Sequence, residues 1–184
     1  MARVKGTFFI ALKSFIRARY GNQGWKRLIE SLPEKDRVQV EMSVSMGWFD
    51  LDLIVQALHV LVEVLGGRDK QLAYEFGRFD AEQDLTKIQR LFLRMANPAY
   101  VIEKAGQYWS RFCDFGEWQI ERQGKNQASA SLVKCSIADE LYCLELSGYL
   151  NRLFEMVGAK NLQVEHTQCR ARGDDKCSWV GKWD

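Results

Sequence analysis

Three thiols and one imidazole are spaced in this sequence so that they could hold a metal ion. His166 and Cys169 are separated by two residues, Cys177 follows across the short turn 172–175, and Cys143 lies upstream on a segment with helical apolar spacing. A two-residue gap lets both side chains reach one ion, and three thiolates with one imidazole form a closed tetrahedral set. The spacing therefore predicts a structural zinc ion bound by Cys143, His166, Cys169 and Cys177.

The spacing alone leaves other interpretations of this cluster open. In a straight strand His166 and Cys169 face opposite sides, whereas Glu165 and Cys169 face the same side. The zinc site therefore needs a bulge or a strand end near Thr167 or Gln168, or else Glu165 replaces His166. Reduced cysteines packed as small hydrophobic side chains would explain the same residues without a metal. A disulfide is less favoured, because the chain is expected to be cytoplasmic.

The elements that must position the cluster begin near Asp114, where the hydrophobic pattern changes. Polar and apolar residues alternate over 117–122, and a turn at 124–126 leads to a second strand over 128–135. Ser136 opens a capping-box pattern for a helix that runs to about Val157. Two more strands, near 161–169 and 176–183, flank the turn between Cys169 and Cys177. This half therefore predicts a β-β-α-β-β unit, an antiparallel sheet backed by one helix.

The half before Asp114 has apolar residues at helical spacing. The pattern predicts six helical stretches, near residues 4–21, 25–32, 34–46, 51–67, 69–95 and 98–112. The fold class is therefore α/β in the α+β sense: N-terminal helices followed by the antiparallel sheet unit. We expect a single domain over 1–184, with a helical part over 1–113 and a zinc-binding sheet part over 114–184.

Length and charge exclude several classes of protein. With 184 residues and a net charge of +2, the chain has no basic stripe, which argues against a nucleic-acid or membrane-surface partner. No apolar run reaches the roughly 18 residues that a membrane span needs. Lys13 and Arg17 interrupt the apolar N-terminus, so we interpret it as an amphipathic helix rather than a signal peptide. The expected location is the cytoplasm.

The run "VEHTQCRARGDDKCSW" resembles the C-terminal signature of the 4-vinyl-reductase-type small-molecule-binding domain. That family forms the sensory part of bacterial activators that detect phenols and other aromatics, and it holds a zinc between its last helix and last hairpin. The resemblance implies that Cys143, His166, Cys169 and Cys177 are the ligands, with His166 standing where characterised sensors have a glutamate. It also implies a dimer.

A weaker resemblance concerns the N-terminal half. The run "KGTFFIALKSFIRARYGNQGW" is similar to the opening of haem nitric-oxide/oxygen-binding domains. Those domains need an axial histidine and a Tyr-x-Ser-x-Arg motif for the haem propionates. Here Tyr108 and Ser110 are followed by Arg111, one place early, and His59 lies too far upstream for that family's spacing. Haem is therefore not expected.

Strand alternation predicts that Trp118, Ile120, Val164 and Trp179 face the helices, where Leu146 and Leu150 of a predicted helix can meet them. Trp109 and His59 lie on other predicted helices. We expect an apolar or aromatic ligand to be enclosed by one set of residues: His59, Trp109, Trp118, Ile120, Leu146, Leu150, Val164 and Trp179. The alternative is that these side chains form an ordinary filled core. Asp80 and Asp84, one helical turn apart, could form an acid–base pair, although a solvated face is the more common explanation.

Nothing in the sequence requires an enzyme, because it has no phosphate-binding loop and no nucleophile motif. We therefore expect a non-enzymatic small-molecule sensor or regulatory module with a structural zinc, acting as a homodimer and signalling by contact with a protein partner. The alternative is a scaffold or assembly protein that works through a homodimer or partner surface without a small ligand.

Overall fold

The computed structural model describes residues 2–83 and 98–184 of the chain. In chain order the elements are β1 (Arg3–Lys5), α1 (Thr7–Ser31), α2 (Glu34–Glu41), β2 (Trp48–Asp50), α3 (Leu51–Val60), a π-helical turn (Leu61–Leu65), α4 (Gln71–Gln83), α5 (Pro98–Phe112), β3 (Glu117–Arg122), β4 (Gln127–Val133), α6 (Glu140–Met156), β5 (Gln163–Gln168), a 3-10 turn (Arg170–Arg172) and β6 (Cys177–Lys182). The predicted α+β class, with helices followed by β-β-α-β-β, is confirmed.

The four strands of the C-terminal half form one antiparallel sheet in the order β3-β4-β6-β5. Residues that pair across neighbouring strands share a face of the sheet, because side chains alternate with a period of two. One such row contains Ile120, Ala130, Trp179 and His166. This inner face is covered by the helices.

The N-terminal helices pack their apolar faces into the same core. In α1 the buried residues recur at helical spacing, among them Phe8, Leu12, Phe15 and Ile16. The helix is kinked at Gly21, whose φ of 68° is a left-handed conformation that glycine adopts without strain. The sequence pattern predicted that the helix ends at this position. The structure shows a kink instead, and the chain is helical again directly after Gly21.

Helices α4 and α6 touch backbone to backbone. A Cβ added at Gly77 would lie 1.8 Å from the carbonyl oxygen of Glu145, and one added at Gly148 would lie 2.0 Å from the carbonyl oxygen of Tyr74. Glycine is therefore required on both sides of the crossing. The close approach brings the side chains of α4 and α6 onto one wall of the space beneath the sheet.

Several predicted boundaries need correction. The helix expected over 34–46 ends at Glu41, and residues 42–47 turn so that the Gly47 N–H reaches the Val44 carbonyl. Helix α6 is capped by Asp139, whose Oδ1 accepts a hydrogen bond from the Tyr142 N–H at 2.9 Å, rather than by Ser136. The strands β1 and β2, three residues each, were missed. The helix expected over 69–95 is described only as far as residue 83.

The largest apolar core contains residues from both halves of the chain, from Val4 to Trp179. The single domain over 1–184 stays a prediction. Within the described ranges, no helix has both the length and the hydropathy needed to cross a bilayer.

Candidate functional site

A cavity of about 640 Å³ lies between the inner face of the sheet and helices α1, α4, α5 and α6. Its lining is mostly apolar, with aromatic side chains from α5, β3 and β6. The volume falls within the range of small-molecule sites in proteins. Among the described residues, the sheet and helices therefore leave a space between them rather than a filled core.

Seven of the eight side chains expected to enclose a ligand line this cavity. They are Trp109, Trp118, Ile120, Leu146, Leu150, Val164 and Trp179. Whether they bind a ligand stays a prediction.

His59 needs a correction. It is not among the described residues that line the cavity. Its imidazole is half exposed on α3, where Nε2 lies 2.7 Å from Oδ2 of Asp139. The apolar run of α3 suggested an inward histidine, but this position lies outside the buried stripe of the helix.

Two buried carboxyls line the cavity, and sequence reasoning did not assign either to it. Asp80 of α4 is 6% exposed and Glu145 of α6 is 5% exposed. Both follow the buried stripe of their helix, since Asp80 lies four residues after Phe76 and Glu145 lies four residues after Leu141. That spacing could have revealed them. The solvated face expected for Asp80 is therefore wrong, and Asp84 lies outside the described residues.

Tyr142 also lines the cavity, with Glu145 as a neighbour. Burial raises the pKa of the Tyr142 phenol well above its usual value, and the neighbouring Cys113 and Glu145 raise it further. The phenol therefore stays protonated and can donate a hydrogen bond.

An aromatic row connects α5 to the last hairpin. The ring centroids of Trp109 and Trp118 are 5.7 Å apart, those of Trp118 and Trp179 are 5.6 Å apart, and Trp179 stacks on His166 at 4.6 Å. The indole N–H of Trp179 donates to the Ser147 hydroxyl at 2.8 Å. The row holds the tryptophan rings in fixed positions along the cavity.

The fold brings together the three thiols and the imidazole that were expected to bind one metal ion. The potential ligand atoms of Cys143, His166, Cys169 and Cys177 lie within 4.8 Å of one another, with Cys143 Sγ 3.5 Å from Cys177 Sγ and 3.8 Å from Cys169 Sγ. The three cysteines are buried, and none forms a disulfide. Nε2 of His166 is also buried and has no hydrogen-bond partner among the described residues.

A register shift in β5 resolves the geometric objection to His166. The ladder with β6 is interrupted between His166 and Gln168. Cys169 then follows the end of the strand and lies on the same side as His166, while Glu165 stays exposed. Glu165 therefore does not replace His166 in the cluster.

The thiols of the cluster are electrostatically unequal. A hydrogen bond with the Cys143 thiol, supported by His166, lowers the pKa of the Cys177 thiol well below its usual range. The same hydrogen bond, together with burial, raises the pKa of the Cys143 thiol. One thiolate is therefore favoured, and a thiolate is the form of cysteine that binds metals.

No family model matches this chain, and no curated protein sequence matches it. Several solved structures, however, are similar to this chain. An H-NOX protein from Shewanella oneidensis in the Fe(II)NO ligation state is 17% identical, with a TM-score of 0.77 over 98% of this chain and 99% of that one. Fe(II) unliganded H-NOX from K. algicida is 13% identical, with a TM-score of 0.72 over 98% and 96%.

The chain has the H-NOX fold. A third structure, from a study of heme distortion in the H-NOX family, is 14% identical, with a TM-score of 0.71 over 98% of this chain and 95% of that one. The likeness agrees with the weaker resemblance found in the N-terminal half. The 4-vinyl-reductase resemblance is not supported by it.

The comparison contradicts the expected zinc cofactor. Two of the H-NOX structures above contain Fe(II), and the third comes from work on heme distortion, so the metal of these proteins is iron rather than zinc. The expected cofactor is corrected on this ground, and zinc is not assigned to this chain.

The residues present do not fit a histidine-ligated haem. The sequence has two histidines, and among the described residues neither His59 nor His166 lines the cavity. Tyr108 and Ser110 do not converge with Arg111 on a common point, because Ser110 bonds the Gln107 carbonyl on the exposed side of α5.

Proposed function

We propose that this chain is a non-enzymatic sensor or binding module that holds a small apolar molecule in the cavity beneath the sheet. The observation that carries this proposal is the cavity of about 640 Å³ with its largely apolar, aromatic-rich lining. Largely apolar concave sites with a few polar groups are typical of small-molecule binding sites. The H-NOX structures with this fold are described with NO bound or with their ligand site empty.

The same cavity is the reason to prefer a sensor over a scaffold. A scaffold that had lost its ligand would be expected to fill this space at native packing density. A cavity lined by apolar side chains loses dispersion contacts, so an occupant would stabilise the fold. Ligand binding would then shift the relative positions of the helices and the sheet, which is a change that a protein partner could detect.

The test uses an uncharged fluorophore, N-phenylnaphthylamine, together with native mass spectrometry of freshly purified protein. We expect the probe to bind with one site per chain, to quench tryptophan fluorescence, and to raise the unfolding temperature. Hemin added to the same protein is expected to give no histidine-ligated absorption band. Absence of both probe binding and a co-purified small molecule would contradict the sensor proposal and favour the scaffold.

A matched pair of variants locates the probe. Ala130→Phe adds a ring on the inner face of β4, between Ile120 and Trp179, and is expected to abolish probe binding by filling the cavity. Gln119→Phe adds the same ring to the exposed, opposite face of β3. That variant should bind the probe as the unaltered protein does. Equal binding by both variants would place the probe outside the cavity.

A second proposal concerns the thiol cluster. We propose that Cys143, His166, Cys169 and Cys177 are ligands of a thiophilic metal ion, which elemental analysis would identify. What supports the proposal is the convergence of four ligand atoms within 4.8 Å and the buried Nε2 of His166. Such an ion would fasten the last hairpin to α6, and its binding free energy would contribute to folding.

Multi-element analysis of protein purified without chelators tests the cluster. We expect one metal ion per chain, lost in Cys169→Ser together with stability of the C-terminal half. Cys135→Ser is the matched control, since Cys135 is also buried but lies outside the four-residue set. Metal-free protein of full stability would contradict this proposal without affecting the first one.

The homodimer, the protein partner and the cytoplasmic location stay predictions.

A further inference from the structure

We propose that the cavity and the thiol cluster regulate each other. A metal ion at the cluster tightens binding of the apolar molecule in the cavity, and that molecule tightens binding of the metal ion. The inference rests on the proposed function of the cavity and on the proposed metal site, and it specifies how one controls the other. The link between the two sites is the side chain of Trp179.

The two sites lie side by side on one face of the sheet. On β6, Cys177 belongs to the cluster, and Trp179, two residues later, lines the cavity. On β5, Val164 lines the cavity, and His166, two residues later, belongs to the cluster. Side chains two residues apart on a strand share a face. Each strand therefore carries both a cavity residue and a cluster residue on its inner face.

The Trp179 ring takes part in both sites. It is 2% exposed and lines the cavity, and it stacks on the His166 imidazole with a centroid separation of 4.6 Å and an interplanar angle of 11°. Among the described residues of the lining there is no member of the cluster itself. A closely packed buried ring moves only together with its neighbours. A change in the position of the His166 ring is therefore passed to the cavity wall.

A chain of hydrogen bonds joins Trp179 to a second member of the cluster. The indole N–H donates to the Ser147 hydroxyl at 2.8 Å, and that hydroxyl donates to the Cys143 carbonyl at 2.6 Å. The stacking contact holds the ring to β5, and the hydrogen bonds hold it to α6. Trp179 is therefore fixed by the same two elements that a metal ion would fasten to the last hairpin.

The direction of the coupling follows from this arrangement. A metal ion bound to the His166 imidazole would fix that ring and the Trp179 ring stacked on it. A wall that is already ordered loses less conformational entropy when a ligand binds, so the ligand binds more tightly. Coupling between two binding sites is reciprocal, so the ligand raises the metal affinity by the same factor. We expect this factor to be about tenfold.

The test uses cobalt(II), whose visible absorption bands report its ligand geometry, together with N-phenylnaphthylamine. We expect the fluorophore to bind about tenfold more tightly to cobalt-loaded than to metal-free protein. Saturating fluorophore should also shift the cobalt bands, because His166 moves with Trp179. The band shift is measured on loaded protein, so it decides the question even if the metal-free form unfolds.

The outcomes separate this inference from the two proposals beneath it. Fluorophore binding with unchanged cobalt bands and unchanged affinity would overturn the coupling while the cavity proposal stands. Absence of fluorophore binding to either form would mean that the proposed function fails. Absence of cobalt uptake would overturn the metal site and the coupling together.

A matched pair of serine variants tests the route. Ser147→Ala removes the acceptor of the indole N–H, although Ser147 belongs neither to the described lining nor to the cluster. We expect it to bind fluorophore and cobalt but to reduce both the coupling factor and the band shift. Ser131→Ala is the control, since Ser131 is also a buried hydroxyl but bonds Ser178 on the opposite face of the sheet. Equal coupling in the two variants would overturn the route through Trp179, and the band shift in the unaltered protein remains decisive if Ser147→Ala does not fold.

Discussion

Glu155 on α6 receives hydrogen bonds from two arginines. Arg78 contacts its two oxygens at 2.8 and 3.0 Å, and Arg152 contacts Oε2 at 3.0 Å. The hydrogen bonds from Arg78, opposed by partial burial and supported by Arg152, lower the pKa of the Glu155 carboxyl. A carboxyl whose pKa is lower in the folded state stabilises the protein above its unfolded-state pKa.

The stabilisation by Glu155 should therefore disappear as the pH falls through its folded-state pKa. We expect Glu155→Gln to lower the free energy of unfolding by on the order of 1 kcal/mol at neutral pH, since the groups are about one-third exposed and partly screened. The difference should vanish in acid. Urea titrations over a pH series measure it, and Glu30→Gln, in an exposed pair with Lys26, is the control. A difference independent of pH would contradict the ion-pair explanation.

Residue types alone predicted much of the cavity and missed its most polar part. Trp118, Ile120 and Trp179 follow from strand alternation, because a period of two fixes which side chains share a face. Asp80 and Glu145 are on the buried stripes, yet charged residues are rarely buried. Their position depends on the glycine crossing of α4 and α6, which joins segments far apart in the chain.

At the scale of elements, the first turn of α6 is set by one side chain. Asp139 accepts the Tyr142 N–H and also holds His59 of α3. Asp139→Ala is expected to destabilise the protein by about 1 kcal/mol, the usual effect of losing an N-cap. Ser136→Ala should be neutral, because Ser136 does not cap the helix. Chemical denaturation measures the stability of both variants. A larger loss of stability in Ser136→Ala than in Asp139→Ala would instead support the capping box at Ser136 that the sequence predicted.

The crossing of α4 and α6 gives a second prediction for elements. Gly77→Ala places a methyl group against the Glu145 carbonyl, so the helices must separate, and we expect a loss of about 2–3 kcal/mol. Gly106→Ala on α5 is the matched control, since a Cβ there meets nothing within 4 Å. That change should stabilise the protein by about 0.5–1 kcal/mol. Equal effects in thermal unfolding would mean that helix propensity, rather than the close crossing, determines the outcome.

Elements with strong periodicity were predicted, and those defined by distant contacts were not. The β-β-α-β-β order follows from alternation and from one long apolar helix. Strands β1 and β2 are three residues each and exist because Val4 pairs with Phe49 across the chain. No local pattern in so short a segment distinguishes a strand from a turn.

At the scale of the whole molecule, the described surface leaves one strip of large apolar side chains exposed around α2 and β2. Val38, Met42, Val44 and Met46 are 61–76% exposed, and Trp48 follows them. The apolar face of α1, by contrast, is buried in the core. The buried face of α1 is therefore not available for contact with a second chain. Contiguous exposed apolar patches commonly mark interaction sites.

The homodimer prediction can be tested on this strip. We expect light scattering at micromolar concentration to give the mass of two chains, and Met42→Lys combined with Met46→Lys to give the mass of one, because a buried charge at an apolar interface is costly. Asn126→Lys, at the exposed hairpin turn between β3 and β4, is the control and should remain a dimer. The unaltered protein with the mass of one chain would contradict the prediction. A dimer that survives both methionine changes would place the interface elsewhere on the molecule.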